Sequence, residues 1–295
     1  MHDYLRAVGF SKIKQNRDVR DLIKFIQMRP TNEYVTSETE KGSGFGEKVR
    51  EFGHRIGISV RGEYDEDEFY VNSYYPYLLG RYKTVYDNMT VEKQTDRDEY
   101  LGVCDSAKLG ISLVFHIINM ADYLDYRQFH SDLPFSAPVK ISGLSTEGKI
   151  IMPVYKTEKE INQQRSDNRN RENMLAAARD GDQEAIENLT LQDIDMFSEI
   201  SRRVRHEDVL SIVESYFMPY GITCDHYSIM GTILRVDTVE NTFTEDQMWL
   251  LALDCNGLIF DVCINKKDLF GEPDVGRRFR GVIWVQGIID FSQIA

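Results

Sequence analysis

The sequence predicts an α+β protein on three observations: an amphipathic stretch near the start, alternating apolar residues over 56–155 and again over 222–295, and a polar, helix-patterned stretch between them. The expected architecture is an N-terminal antiparallel sheet with covering helices (1–155), a helical connector (156–221) and a small C-terminal β-barrel (222–295). A chain of 295 residues, 42% hydrophobic and 11% aromatic, has the apolar surface to fill two cores rather than one.

Taken in chain order, the first element is a helix over Arg17–Met28. Asn16 stands at its N-cap, Val19, Leu22, Ile23 and Ile26 share one face, and Pro30 stops it. Thr36 to Gly46 is polar and glycine-bearing and reads as an exposed loop, followed by a short amphipathic piece with Val49, Phe52 and Ile56. Three hairpins follow. Ile56–Tyr64 and Phe69–Tyr77 flank Asp65–Glu68, Tyr100–Cys104 and Gly110–Asn119 flank Asp105–Lys108, and Val139–Leu144 and Lys149–Tyr155 flank Ser145–Gly148. Connections this short join antiparallel neighbours.

From Glu158 to Phe217 the apolar period becomes helical. Thr190 and Asp193 form a capping-box pattern, Leu191, Ile194, Phe197, Ile200 and Val204 make one stripe, and Val209, Ile212, Val213, Tyr216 and Phe217 make another, ended by Pro219 and Gly221. Lys156–Asn173 is almost wholly polar. Beyond Gly221 the period returns to two. Trp249, Leu251 and Leu253 face one way, Leu258, Phe260, Val262 and Ile264 share a side, and Asn256–Gly257 between them is a strong hairpin signal. With strands also at Ser228–Val236 and Arg278–Ile289, the strand count predicts an OB-like (oligonucleotide-binding-like) barrel.

Net charge constrains the partners. With 48 acidic against 35 basic side chains the chain carries −13, which repels phosphate backbones and anionic lipid, so neither nucleic acid nor membrane is the expected partner. No run approaches a membrane span and the N-terminus lacks a signal-peptide pattern, which predicts a cytoplasmic protein. Cys104, Cys224, Cys255 and Cys263 read as reduced core residues.

No motif declares an activity. Gly42-Ser43-Gly44-Phe45-Gly46 lacks the buried strand and the spacing of a phosphate loop and reads as a loop. Six scattered histidines, with Cys224 and His226 the sole close soft-ligand pair, predict no metal site, and Asp65–Glu68 reads as a hairpin tip rather than a calcium loop. Nucleophile elbows and zinc-protease signatures are missing, so no cofactor and no catalytic residue is assigned. The candidate ligand patch is Arg277, Arg278, Arg280 and Trp284. On a strand Arg278 and Arg280 share a face, an arrangement that suits phosphate contact and base stacking, although 222–295 carries six basic against eleven acidic groups.

The runs Gly57–Tyr64, Tyr74–Tyr77, Val91–Lys93 through Tyr100–Asp105, and Asp261–Leu269 through Gly281 resemble an uncharacterised bacterial family of about this length, known as a domain of unknown function. The likeness covers nearly the whole chain, implies a cytoplasmic bacterial protein and carries over no catalytic residue. The leading functional expectation is a non-enzymatic interaction or accessory protein with a protein partner or self-association. A ligand-binding module for a small anion or single-stranded nucleic acid on the Arg277–Trp284 patch is the alternative, and an enzyme with a site assembled from distant segments is the third.

Overall fold

The structure, a computed structural model, describes residues 3–36, 44–65, 68–94, 99–106, 109–130, 133–154, 166–167, 170–171, 173–178, 181–203 and 209–294. It is an α+β fold, mostly sheet. After a 3-10 turn at Asp3–Val8 comes helix α1 (Asn16–Met28), whose Val19, Leu22 and Ile26 are buried as their spacing requires. Its N-cap is Gln15 rather than Asn16.

Strands β1 (Asn32–Val35), β2 (Gly44–Gly53), β3 (Ile56–Asp65) and β4 (Glu68–Leu78) form a four-stranded antiparallel meander. The β3–β4 hairpin matches the expected one, with Asp65 opposite Glu68 at its tip. The expected loop over Thr36–Gly46 is corrected in its last part. Gly44, Phe45 and Gly46 lie in β2, where a Cβ on Gly46 would stand 2.5 Å from the Tyr64 ring, so this glycine serves close packing rather than a turn. Gly42 and Ser43 fall outside the described residues.

The chain then enters a ten-stranded sheet through β5 (Lys83–Gln94), β6 (Glu99–Ser106), β7 (Ile111–Ile117), helix α2 (Met120–Arg127) and β8 (Phe135–Ile151). β6 and β7 are the second expected hairpin. The third hairpin does not form, because β8 runs unbroken through Ser145–Gly148. Ladders to β5, to β12 (Leu258–Asn265) and to β14 (Arg278–Ile289) occupy both its edges, and a reversal at Gly148 would forfeit them. The turn-like glycine has another reason: a Cβ there would lie 2.5 Å from the Phe279 ring. β5 was not expected; its polar faces and Asn88, at φ 52°, hide the strand period.

Helix α3 (Gln183–Arg203) begins at Asp182, whose carboxylate accepts from the Glu184 and Ala185 N–H groups. Thr190 is therefore an interior residue, its hydroxyl donating to the Ile186 carbonyl, and not part of a capping box. Leu191 and Ile194 of the expected stripe are 60% and 56% exposed, Ala185 and Leu189 are the buried side, and the side chains of Phe197 and Ile200 and all of Val204 fall outside the described residues. Most of the polar stretch at 156–173 also lies outside them. A four-residue helix α4 (Val209–Ile212) precedes β9 (Tyr216–Pro219), so Tyr216 and Phe217 belong to a strand, where Phe217 packs on Tyr227 and Phe260.

The remaining strands are β10 (His226–Glu240), β11 (Gln247–Cys255), β12, the two-residue β13 (Leu269–Phe270) and β14. Asn256 and Gly257 both take positive φ, 54° and 83°, in the two-residue turn joining β11 to β12. The ladders close on themselves twice. One circuit runs β8–β12–β11–β10–β14 and back to β8, the other β8–β5–β6–β7–β14 and back to β8, so the β8·β14 ladder is common to both. Residues numbered in the expected units 1–155 and 222–295 thus share one sheet, and Leu113, Val139, Ile233, Leu253 and Phe260 lie in one buried cluster. No helix among the described residues is long and apolar enough to cross a membrane.

Candidate functional site

The two faces of the four-stranded meander differ in chemistry. Alternation sends Ile58 and Val60 of β3 into one buried cluster with Val19, Leu22 and Ile26 of α1. The other face carries Asn32 and Tyr34 from β1, Glu47, Val49 and Glu51 from β2, Ser59 and Arg61 from β3, and Tyr75 and Tyr77 from β4. Register aligns them in rows: Tyr34–Glu47–Arg61, Asn32–Val49–Ser59–Tyr75 and Glu51–Gly57–Tyr77. Gly57 is needed in the last row, since a Cβ there would sit 2.4 Å from the Tyr77 hydroxyl and 2.5 Å from the Arg50 carbonyl.

At the closed end of this face Glu47, Ser59, Arg61 and Tyr75 are all buried. One Glu47 oxygen accepts from Ser59 Oγ at 2.5 Å, Arg61 Nε at 2.9 Å and the Tyr75 hydroxyl at 2.6 Å. Arg61 Nη2 donates to the carbonyls of Ile117 and Ile118 at 2.8 Å each, and its guanidinium lies 4.2 Å from the Tyr75 ring centroid. Arg61 therefore neutralises Glu47 in place and ties β3 to the chain leaving β7.

Toward solvent the face opens into a cavity of about 220 Å³, walled on its far side by Ile118, Asn119, Asp122 and Ile288. Two carboxylates stand in its mouth. Glu51 and Asp122 are exposed, and neither has an ion-pair partner among the described residues. Burial, with the charges of Asp122, Glu47 and Glu51, pushes the Tyr34 phenol upward; burial, Glu51, Tyr34 and Glu47 do the same to Tyr77. Tyr75 is raised mainly by burial. All three phenols stay protonated, offering neutral π faces and hydroxyls beside excess negative charge. The cavity lining includes no His, Cys or Lys, so it presents acceptors and aromatic faces rather than a nucleophile beside a base.

The residues singled out from sequence go to separate duties. Arg278 is buried, and its guanidinium donates to the carbonyls of Met152, Val213 and Leu210. Arg277 donates to the Glu272 carbonyl, and exposed Arg280 donates to the Tyr216 hydroxyl. Trp284 is buried, donating to Asp225 at 2.6 Å with its ring against Tyr4 and His116. His226 pairs with Asp225 at 2.8 Å. Cys224 is exposed, a correction to the reading of all four cysteines as core, while the other three are buried and all four are free. Among the described residues no group of three or more His, Cys, Asp or Glu side chains is placed to hold a metal ion.

None of the cavity residues was singled out as a candidate from sequence. The available signal was even spacing, Glu47 with Glu51 four apart and Tyr75 with Tyr77 two apart, which puts like residues on one strand face once both segments are read as strands. No curated protein and no solved structure matches the chain. Its sequence does match, over residues 5–287, the family described as a domain of unknown function from an E. rectale gene (DUF3881), and the chain belongs to that family.

Proposed function

We propose that this is a non-enzymatic binding or accessory protein, and that it captures a cationic group, an ammonium or guanidinium of a partner or small molecule, in the cavity lined by Tyr34, Tyr77, Glu51 and Asp122. The observation that carries the reading is the pair of carboxylates without an ion-pair partner among the described residues, beside neutral tyrosine faces, the combination that attracts organic cations. A charge-assisted hydrogen bond contributes about 1.5–3 kcal/mol and a ring contact about 1 kcal/mol, so a bare alkylammonium or alkylguanidinium should bind with Kd of roughly 1–15 mM. A larger partner adds contacts around the same anchor.

Titration with alkylamines and alkylguanidines at low salt tests it by calorimetry or NMR. Saturable binding that weakens about tenfold in the Glu51→Gln/Asp122→Asn variant, and weakens as salt is raised, is expected. Absence of saturable binding, or affinity unchanged in the double variant, sinks the reading.

We read the circuit β10–β11–β12–β8–β14 as an OB-like barrel on the strength of its five closing ladders. A small anion or single strand at Arg277, Arg278, Arg280 and Trp284 has less to support it, since two of the four side chains are interior and already hydrogen-bonded. A cytoplasmic setting is consistent with four free thiols.

A further inference from the structure

The cation cavity has a neighbour. A second cleft, about 390 Å³, is lined by Lys83, Lys140, Asp290 and Phe291, and it shares Asn119, Asp122 and Ile288 with the first. Asn119 is immobilised at this boundary: its amide donates to Asp122 at 2.9 Å and to the Ile289 carbonyl at 2.8 Å, and its oxygen accepts from the Ile289 N–H. Ile288 supplies an apolar side chain to both volumes.

The second cleft brings two ammonium groups, Lys83 and Lys140, beside Asp290 and the shared Asp122. Register places Lys83 directly across from Lys140, and Lys140 directly across from Ile288. Two like charges opposite each other on one sheet face repel unless a counter-charge lies between them. Lys83 has one, donating to Asp290 at 2.8 Å and to Gln293 at 2.9 Å. Lys140 is exposed and has no ion-pair partner among the described residues. Its backbone is one strand spacing, about 4.8 Å, from that of Ile288. Moving from the first cavity to the second one therefore passes the Glu51 and Asp122 carboxylates, an apolar residue and then the Lys140 ammonium, none of these charges being ion-paired among the described residues.

Resting on the cation-binding reading above, we propose that the two clefts form one site for a dipolar, chain-like ligand. Its ammonium or guanidinium end lies among Tyr34, Tyr77 and Glu51, its apolar middle crosses Ile288, and its carboxylate end meets Lys140. The class is an ω-amino carboxylate or a peptide-like zwitterion of similar length. Each end supplies a counter-charge to groups that have no ion pair among the described residues, and binding leaves the net charge of the site unchanged.

The test compares alkylamines with ω-amino carboxylates of matched and increasing chain length, titrated into the full chain. The terminal carboxylate is expected to tighten binding about tenfold at one optimal length, and Lys140→Ala should abolish that gain while leaving alkylamine affinity as it was. Lys140→Met, which keeps most of the length of the side chain without its charge, should behave in the same way and separates charge from packing. If alkylamines bind but no chain length shows a gain, or the gain persists in both variants, the dipolar site is overturned and the cation cavity stands. If alkylamines do not bind at all, both readings fall.

Discussion

The interior closed by β8, β10, β11, β12 and β14 and the tyrosine-lined face of the meander show two ways of using strands. Inside the first, Ile233, Leu251, Leu253, Leu258, Phe260, Val262, Ile264, Phe279 and Ile283 are buried without a polar partner among them. On the second, the buried positions include Glu47, Ser59 and Arg61, joined through hydrogen bonds that converge on one carboxylate oxygen. An apolar interior holds the chain together and recognises nothing. A polar face, supported from behind by α1, spends stability on holding side chains at fixed positions, which a binding site requires.

That contrast gives a ranking. Phe260→Ala should lower stability most, by about 3–5 kcal/mol, because the surrounding closed ladders cannot collapse into the space left. The urea midpoint should fall while the folded fraction binds alkylamines as before, and a small loss would mean that this interior is not rigid. Glu47→Gln keeps the shape but leaves the buried Arg61 guanidinium without its anion, and a loss of about 1–3 kcal/mol is expected. Here the amine titration should weaken as well, since Ser59, Arg61 and Tyr75 would share a neutral amide oxygen in place of a charged carboxylate and hold the meander face less firmly. Stability loss without any change in binding would separate the network from the site.

The smallest effect is chemical. Burial, with nearby Asp105 for one and Asp254 for the other, raises the Cys104 and Cys255 thiols from 9.0 to about 12. Acids that keep their protons in the folded chain lose them first in the unfolded one. Their contribution is complete below pH 9.0 and declines as pH rises toward about 12. Native protein near neutral pH should react with iodoacetamide at Cys224 alone, slowly, because partial burial and Asp225 raise that thiol too. Rapid labelling of Cys255 by mass spectrometry would show that the apolar interior opens.

The same contrast explains what could be read from the residues alone. Period-two runs with a matching turn were visible: β11 and β12 around Asn256–Gly257, and β3 and β4 around Asp65–Glu68. Ser145–Gly148 misled because its turn-like composition answers to the Phe279 ring and to ladders on both edges of β8, contacts more than a hundred residues away in sequence. β5 escaped notice because strands paired on both sides need no apolar alternation at exposed positions. The arginine patch stood out because arginine beside aromatic residues suits ligands, and the same chemistry also suits buried carbonyls, where Arg278 is used. The cavity was hidden for a related reason: its members come from β1 to β4, from β14 and from α2 with the residues just before it, and only register and packing between distant segments bring them together.

One ladder also bears on how the chain acquires its shape during synthesis. Because β14 supplies the edge that both loops of strands require, neither can shut until residues 278–289 have left the ribosome, although β5 to β8 are made long before. Until then the growing polypeptide displays unpaired strand edges, which are open to wrong pairing and to chaperones. Removal of this last strand should thus abolish folding throughout the ten-stranded sheet rather than trim one corner of it, and slow, concentration-sensitive refolding is the behaviour expected of the whole protein.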